Sequence, residues 1–149
     1  MTIRCEIVSQ DRTVFAGDVD IVVLPGSSGE MGILPHHAPV LTTLKYGVIK
    51  VRVKGKEELF VVAGGVAEVQ PDIVTVLADR GSENIQEIDV DRAIAAKKRA
   101  EEFLSKNAPV DEKTDHYWIM EAALRRANLR LDVVRRYRRS GMHTPTSEN

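Results

Sequence analysis

Cysteine occurs once in the chain, as Cys5. A lone thiol forms no internal disulfide, and it excludes any multi-cysteine metal site within one chain. Aromatic side chains supply only 5% of the residues, so a core has to be built from Val, Ile, Leu and Ala. No apolar run is long enough to span a bilayer, and no stretch has the build of a signal peptide. A reducing, cytosol-facing setting is the expectation. Net charge is also nearly absent, at -1 over 149 residues, but that balance conceals an asymmetry. Residues 1–85 carry eight Lys and Arg against eleven Asp and Glu, and residues 86–149 carry thirteen against eleven. Within 125–139 there are seven arginines and one acid, Asp132, a block dense enough to suggest an acidic partner.

What is present is the material of a globular chain, 43% apolar and 29% charged, sized for one domain or two small ones. The first 85 residues read as short strands. Ile3, Cys5 and Ile7 alternate with Arg4 and Glu6, the pattern of a half-buried strand. Val19 to Leu24 reads as one apolar run that stops at Pro25-Gly26. Ile49, Val51 and Val53 alternate with Lys50, Arg52 and Lys54, and Gly55 supplies a hairpin turn. Gly64-Gly65, between two further apolar runs, marks a bulge or bend. Gln70-Pro71-Asp72 is a turn before the strand Ile73 to Ala78. Strands at this spacing predict an antiparallel sandwich or barrel.

At Ile88-Asp89-Val90-Asp91-Arg92-Ala93 the pattern changes from strand to helix. Asp89 has the chemistry of an N-cap, and Asp91 adds negative charge where the helix dipole favours it. The predicted first helix spans Val90 to Lys106, with Ala93, Ala96, Ala100 and Phe103 on one face. Asn107 to Asp111 breaks the pattern, and a second helix is predicted from Lys113 to Arg139. Met120, Leu124, Ala127, Leu131 and Val134 form a narrow seam on it, and the short link favours an antiparallel hairpin. A seam this poor in large residues buries little area, so a ligand could switch its docking. The tail 140–149 is polar and expected to be disordered.

Gly26 to Gly32 is glycine-rich, but it lacks the Gly-Lys-Ser/Thr end of a phosphate loop, and strands follow it. His36 and His37 are neighbours that point different ways, with no cysteine or carboxylate pair nearby to complete a ligand set. They read as surface loop residues, and no metal site is expected. No nucleophile elbow or Ser/His/Asp arrangement is recognisable either.

In order and spacing, Ser28-Gly29-Glu30-Met31-Gly32-Ile33-Leu34-Pro35, His37-Ala38-Pro39, Gly64-Gly65, Glu68-Val69-Gln70-Pro71, Ile88 to Ala93 and Ala123 to Leu131 resemble one family. It is the epsilon subunit of bacterial F-type ATP synthase, and the resemblance runs from Ile3 to about Val134. It implies an α+β fold: an N-terminal antiparallel β-sandwich over 1–85, then a C-terminal antiparallel two-helix hairpin over 88–139. It implies a non-catalytic rotor subunit on the cytoplasmic face of the membrane, held there only through the complex. The implied partners are the gamma subunit, the c-ring and the alpha/beta catalytic head, with no nucleic acid. In such subunits the hairpin folds down or extends into the head, and the extended form inhibits ATP hydrolysis. By position, a regulatory ATP would take Glu83, Asp89, Arg92, Arg99, Arg126 and Arg130. Glu30 and His37 would face the c-ring, and Arg135, Arg136, Arg138 and Arg139 the catalytic head. The link between the helices is about four residues longer than the resemblance leads one to expect, and includes Pro109. The competing class is a free-standing ATP-sensing module of the same two-part build, and an accessory enzyme is a distant third.

Overall fold

The computed structural model describes residues 1–107 and 115–138. The chain divides into two units, Met1–Asn84 and Ile85–Asn149. The first holds eight strands: β1 (Ile3–Val8), β2 (Thr13–Val19), β3 (Ile21–Gly26), β4 (Gly29–Ile33), β5 (Val40–Val53), β6 (Lys56–Val69), β7 (Ile73–Ala78) and β8 (Glu83–Asn84). The alternation read in β1 is real, with Ile3, Cys5 and Ile7 all buried. β2 was not anticipated, and the run Val19 to Leu24 is not one strand. Asp20 divides it, and a contact remote in sequence explains why. Its backbone N–H donates to Arg52 O at 2.7 Å, and its Oδ2 accepts from Lys54 N at 2.8 Å. The break between β2 and β3 is therefore tied to the turn that ends β5.

That turn, Lys54-Gly55, has φ of 51° and 79°, the two positive values a tight hairpin of this twist needs. It joins β5 and β6, fourteen residues each, into the longest ladder of the unit. The hairpin bends near its middle. Gly64 and Gly65 have φ of 95° and 138°, yet Leu44 still faces Gly65 and Tyr46 still faces Ala63, so the register holds across the bend. The outer edge of β6 changes partner there. It pairs β8 at Phe60 and Val61, and β7 from Gly65 to Val69. The bent hairpin thus serves two layers, β2-β1-β7-β6-β5 and β8-β6-β5-β3-β4. Every pairing is antiparallel except β1 with β7, which run parallel.

Between the layers sit Ile3, Ile7, Leu24, Ile33, Ile49, Val62 and Val76, all buried. Burying each such side chain contributes about 1.5–3 kcal/mol. Phe60 is the one aromatic among the largest fully buried side chains, and its ring lies 5.4 Å from that of Phe15 on β2. Cys5 is sealed in this core. Burial, with a smaller push from Glu6, raises its thiol from the ordinary 9.0 to about 12, and Arg4 opposes this weakly. A raised folded value means that the native state keeps a proton which the unfolded chain releases above pH 9. The stability linked to that proton is complete below pH 9 and is lost as pH climbs towards 12. Urea unfolding between pH 8 and 11 should therefore show a steeper loss for the wild type than for Cys5→Ala. Parallel slopes would show that Cys5 contributes nothing to alkaline sensitivity.

The second unit opens with a one-turn 3-10 helix, Ile85–Glu87. Helix α1 (Val90–Lys106) has the bounds read from the sequence. Helix α2 runs Asp115–Val133, and its expected start at Lys113 lies outside the described residues. Its expected end at Arg139 is corrected: the regular helix stops at Val133, and a π-helical turn, Val134–Arg138, follows. Arg139 and the tail 140–149 lie outside the described residues, as does most of the interhelix link.

Candidate functional site

Two surfaces carry the residues singled out by sequence, one in each unit. In the second unit, Asp89 is the N-cap of α1, with extended backbone (φ -83°, ψ 104°). Its Oδ1 accepts from Arg92 N at 3.0 Å, satisfying one of the amides that a helix start leaves orphaned. The same residue type that starts the helix thereby fixes the turn from which Arg92 projects. At the other end, Asn107 closes α1 by donating both its backbone N–H and its Nδ2 to Phe103 O, at 3.0 and 2.9 Å.

The relative direction of the helices follows from Arg138. Its Nη2 donates to the carbonyls of Ile85 at 3.0 Å, Gln86 at 3.0 Å and Ile88 at 2.8 Å. The end of α2 is therefore beside the start of α1, and the two helices, which pack on one another, run antiparallel. Their seam uses buried Ala93 and Ala100 on α1 and buried Ala127 on α2. Met120, Leu124, Leu131 and Val134 are half-buried around it, while Val133, which the seam pattern omitted, is buried. The π turn begins directly after Val133, so the helix period of 3.6 no longer decides which side chains point inward there.

The arginines flank this seam. Arg92 and Arg99 each precede a buried alanine, Arg126 precedes Ala127, and Arg130 precedes half-buried Leu131. In an antiparallel pair, the positions one residue before the facing ones fall on the same side of the seam for both helices. Both helices rise about 1.5 Å per residue, so counting roughly a dozen residues from the Arg138 junction reaches Arg99 on one and Arg126 on the other. By helical periodicity Arg92 and Arg99, seven apart, share one face of α1, and Arg126 and Arg130, four apart, share one face of α2. Arg92 and Arg99 are exposed, and Arg126 and Arg130 are half-buried. A guanidinium offers a planar fork to phosphate oxygens, and Arg130 already has a partner within the chain. Glu83, the remaining member of the expected set, is half-buried on β8 in the first unit and already engaged by another group. Arg135 pairs with the Asp132 carboxylate, and Arg136 also has a partner.

In the first unit, Glu30 is not in a loop. Gly29, at φ 135°, lets β3 turn back through Ser27-Ser28 into β4, and Glu30 is an exposed residue of that strand. The loop proper starts at Leu34. His36 sits at φ 67° with its N–H on Pro71 O at 2.8 Å. His37 is half-buried, its Nδ1 donating to Ala38 O at 2.7 Å. A groove of about 590 Å³ opens alongside, lined by Pro39, Val40, Leu41, Glu68, Val69, Gln70 and Pro71. The sequence reading missed it; Leu41, on β5, stays 71% exposed there. Among the described residues, no three His, Cys, Asp or Glu side chains gather as a metal ligand set. Nor, among them, is any helix long and apolar enough to cross a membrane.

Comparison with known proteins adds an independent line. Residues 2–83 match the family model described as the ATP synthase Delta/Epsilon chain beta-sandwich domain, and residues 86–135 the corresponding long alpha-helix domain. The ATP synthase epsilon chain of Dehalococcoides mccartyi strain BAV1 is 46% identical over 138 residues, 92% of this chain and 95% of that one. The epsilon chain of Bacillus licheniformis is 42% identical over 134 residues, 90% of this chain and 98% of that one. In the cryo-EM structure of Euglena gracilis mitochondrial ATP synthase (OSCP/F1/c-ring, rotational state 1), one chain matches at a TM-score of 0.70. That match is 24% identical and covers 89% of this chain and 81% of the other, so it speaks for the shared fold. With both units matched in order by one family, and near-full-length relatives above 40% identity, this chain belongs to the ATP synthase delta/epsilon chain family, as a non-catalytic subunit of that complex.

Proposed function

We propose that this chain is a central-stalk subunit that couples the rotor to the c-ring and restrains ATP hydrolysis through an ATP-responsive hairpin. What supports the proposal is the packing of α1 on α2, with Arg92 and Arg99 on the first helix and Arg126 and Arg130 on the second. Arg92, Arg99 and Arg126 repel one another when the hairpin closes empty, while Arg130 is engaged by another group. A triphosphate between them offsets that repulsion and joins the helices, so ATP favours the folded hairpin by its differential affinity for that state. Asp89 does not face phosphate. It holds the start of α1, and through it Arg92, or accepts from the nucleotide's amino or ribose groups. Glu83 enters the set by position in the family alone. When ATP is scarce the hairpin extends towards the catalytic head, and Arg135, Arg136, Arg138 and Arg139 then meet acidic surface there.

Calorimetry on the isolated chain with ATP and with ADP tests this. Arg92→Ala and Arg99→Ala should each weaken ATP binding tenfold or more, since a charge-assisted hydrogen bond contributes about 1.5–3 kcal/mol. Asp89→Ala should mainly loosen the helix start, at about 1 kcal/mol. Absence of heat and of any thermal shift at millimolar ATP would reject the nucleotide site.

The opposite duty falls to the first unit, where the gamma subunit and the c-ring are the proposed neighbours. Glu30 is exposed on β4, and half-buried His37 follows His36, whose N–H donates to Pro71 O at the groove, so carboxylate, imidazole and apolar carbon are all presented by this unit. Polar loops of the c-ring suit such a surface. The double substitution Glu30→Ala, His37→Ala should lower proton-driven ATP synthesis in reconstituted enzyme while the isolated chain keeps its melting temperature. Unaltered proton pumping would remove this surface from the coupling path.

A further inference from the structure

We infer that Arg138 is a latch that holds the hairpin closed without nucleotide, by binding the carbonyl groups that lie just before α1. The inference deepens the proposed hairpin switch and rests on that reading for its regulatory meaning. Three backbone oxygens, those of Ile85, Gln86 and Ile88, converge on the Nη2 of Arg138 within 3.0 Å. They belong to a single 3-10 turn and the residue that follows it, a segment too short to satisfy its own carbonyls. Nη2 has only two N–H groups for three acceptors, so one hydrogen is shared and the guanidinium sits in a focused negative potential. The partners are fifty to fifty-three residues away, so the contact exists only while α2 lies against α1.

Arg138 is the last residue of the π turn that follows Val133, and from there its side chain reaches residues 85–88. Neighbouring Arg135 shows the contrast: it pairs with Asp132 on its own helix, so it gains nothing from closure. Opening the hairpin strands three carbonyls and one guanidinium at once, and water must replace every bond. Arg138 therefore favours the closed form whether or not a polyanion is bound.

The test is hydrogen exchange on the full chain, first without nucleotide, for the wild type, Arg138→Gln, Arg138→Lys and Arg135→Gln. Arg138→Gln should speed exchange of amides in 127–138 by tenfold or more and leave the β-strands unchanged. Arg138→Lys should fall between, because an ammonium keeps the charge but not the planar fork. Arg135→Gln should exchange as the wild type does. Exchange in Arg138→Gln within twofold of the wild type would overturn the latch, and so would an equal acceleration in Arg135→Gln. A second run with ATP separates the two ideas. Protection by ATP in the wild type addresses the nucleotide site, and its absence leaves the nucleotide-free result for Arg138 standing.

Discussion

Gly65→Ala should destabilise the first unit by about 3 kcal/mol or more, summing a strained backbone and an overpacked ladder at about 1–3 kcal/mol each. A Cβ at this position would lie 2.3 Å from Leu77 O and 3.1 Å from Ala78 Cα. Both obstacles are backbone of β7, the strand hydrogen-bonded to Gly65, so no side chain can swing away to relieve them. The φ of 138° adds strain for any L residue, whatever the space. Against a total of about 5–15 kcal/mol for a typical domain, such a loss is large. Gly64→Ala is the control. Its Cβ would meet the Asp79 carboxylate at 3.1 Å, the far end of a side chain that can move, so it should cost less despite a φ of 95°. Urea unfolding of both variants decides the matter. A Gly65→Ala midpoint at or above that of Gly64→Ala would show that β6 and β7 do not have to approach so closely.

Truncation after Asn107 should produce two large effects of opposite kind, both resting on the proposed switch. The β unit of the truncated chain should keep its unfolding midpoint, because β1 to β8 and their core end at Asn84. ATP binding should fall on the order of a hundredfold or more, since Arg126 and Arg130 are removed and each charge-assisted bond contributes about 1.5–3 kcal/mol. ATP hydrolysis by the assembled enzyme should rise, because the basic block from Arg125 to Arg139 goes with α2. Calorimetry on the truncated chain and a hydrolysis assay on reconstituted enzyme read the two effects separately. Undiminished ATP binding would assign the phosphates to α1 alone, and an unchanged hydrolysis rate would take α2 out of the inhibited state.

What the sequence determined by itself was local. The alternation in β1, the Lys54-Gly55 turn and the Asp89 cap each act through groups within a few residues, so pattern and chemistry sufficed to read them. The bounds of α1 followed for the same reason: cap, periodic alanines and Asn107 all lie on one segment. The arginines of the candidate site were legible as types at helical spacing and, through the family resemblance, as a set. Tertiary structure decided everything that turned on a distant partner. Asp20 looked like part of an apolar run until Lys54, thirty-four residues on, engaged its carboxylate. Gly64 and Gly65 looked alike in sequence, and only the carbonyl of Leu77 makes the second one irreplaceable. The parallel pairing of β1 with β7 joins residues about seventy positions apart, which no local period encodes. Arg138 read as one more charge in a basic block, because a guanidinium's role is set by the acceptors that the fold brings to it.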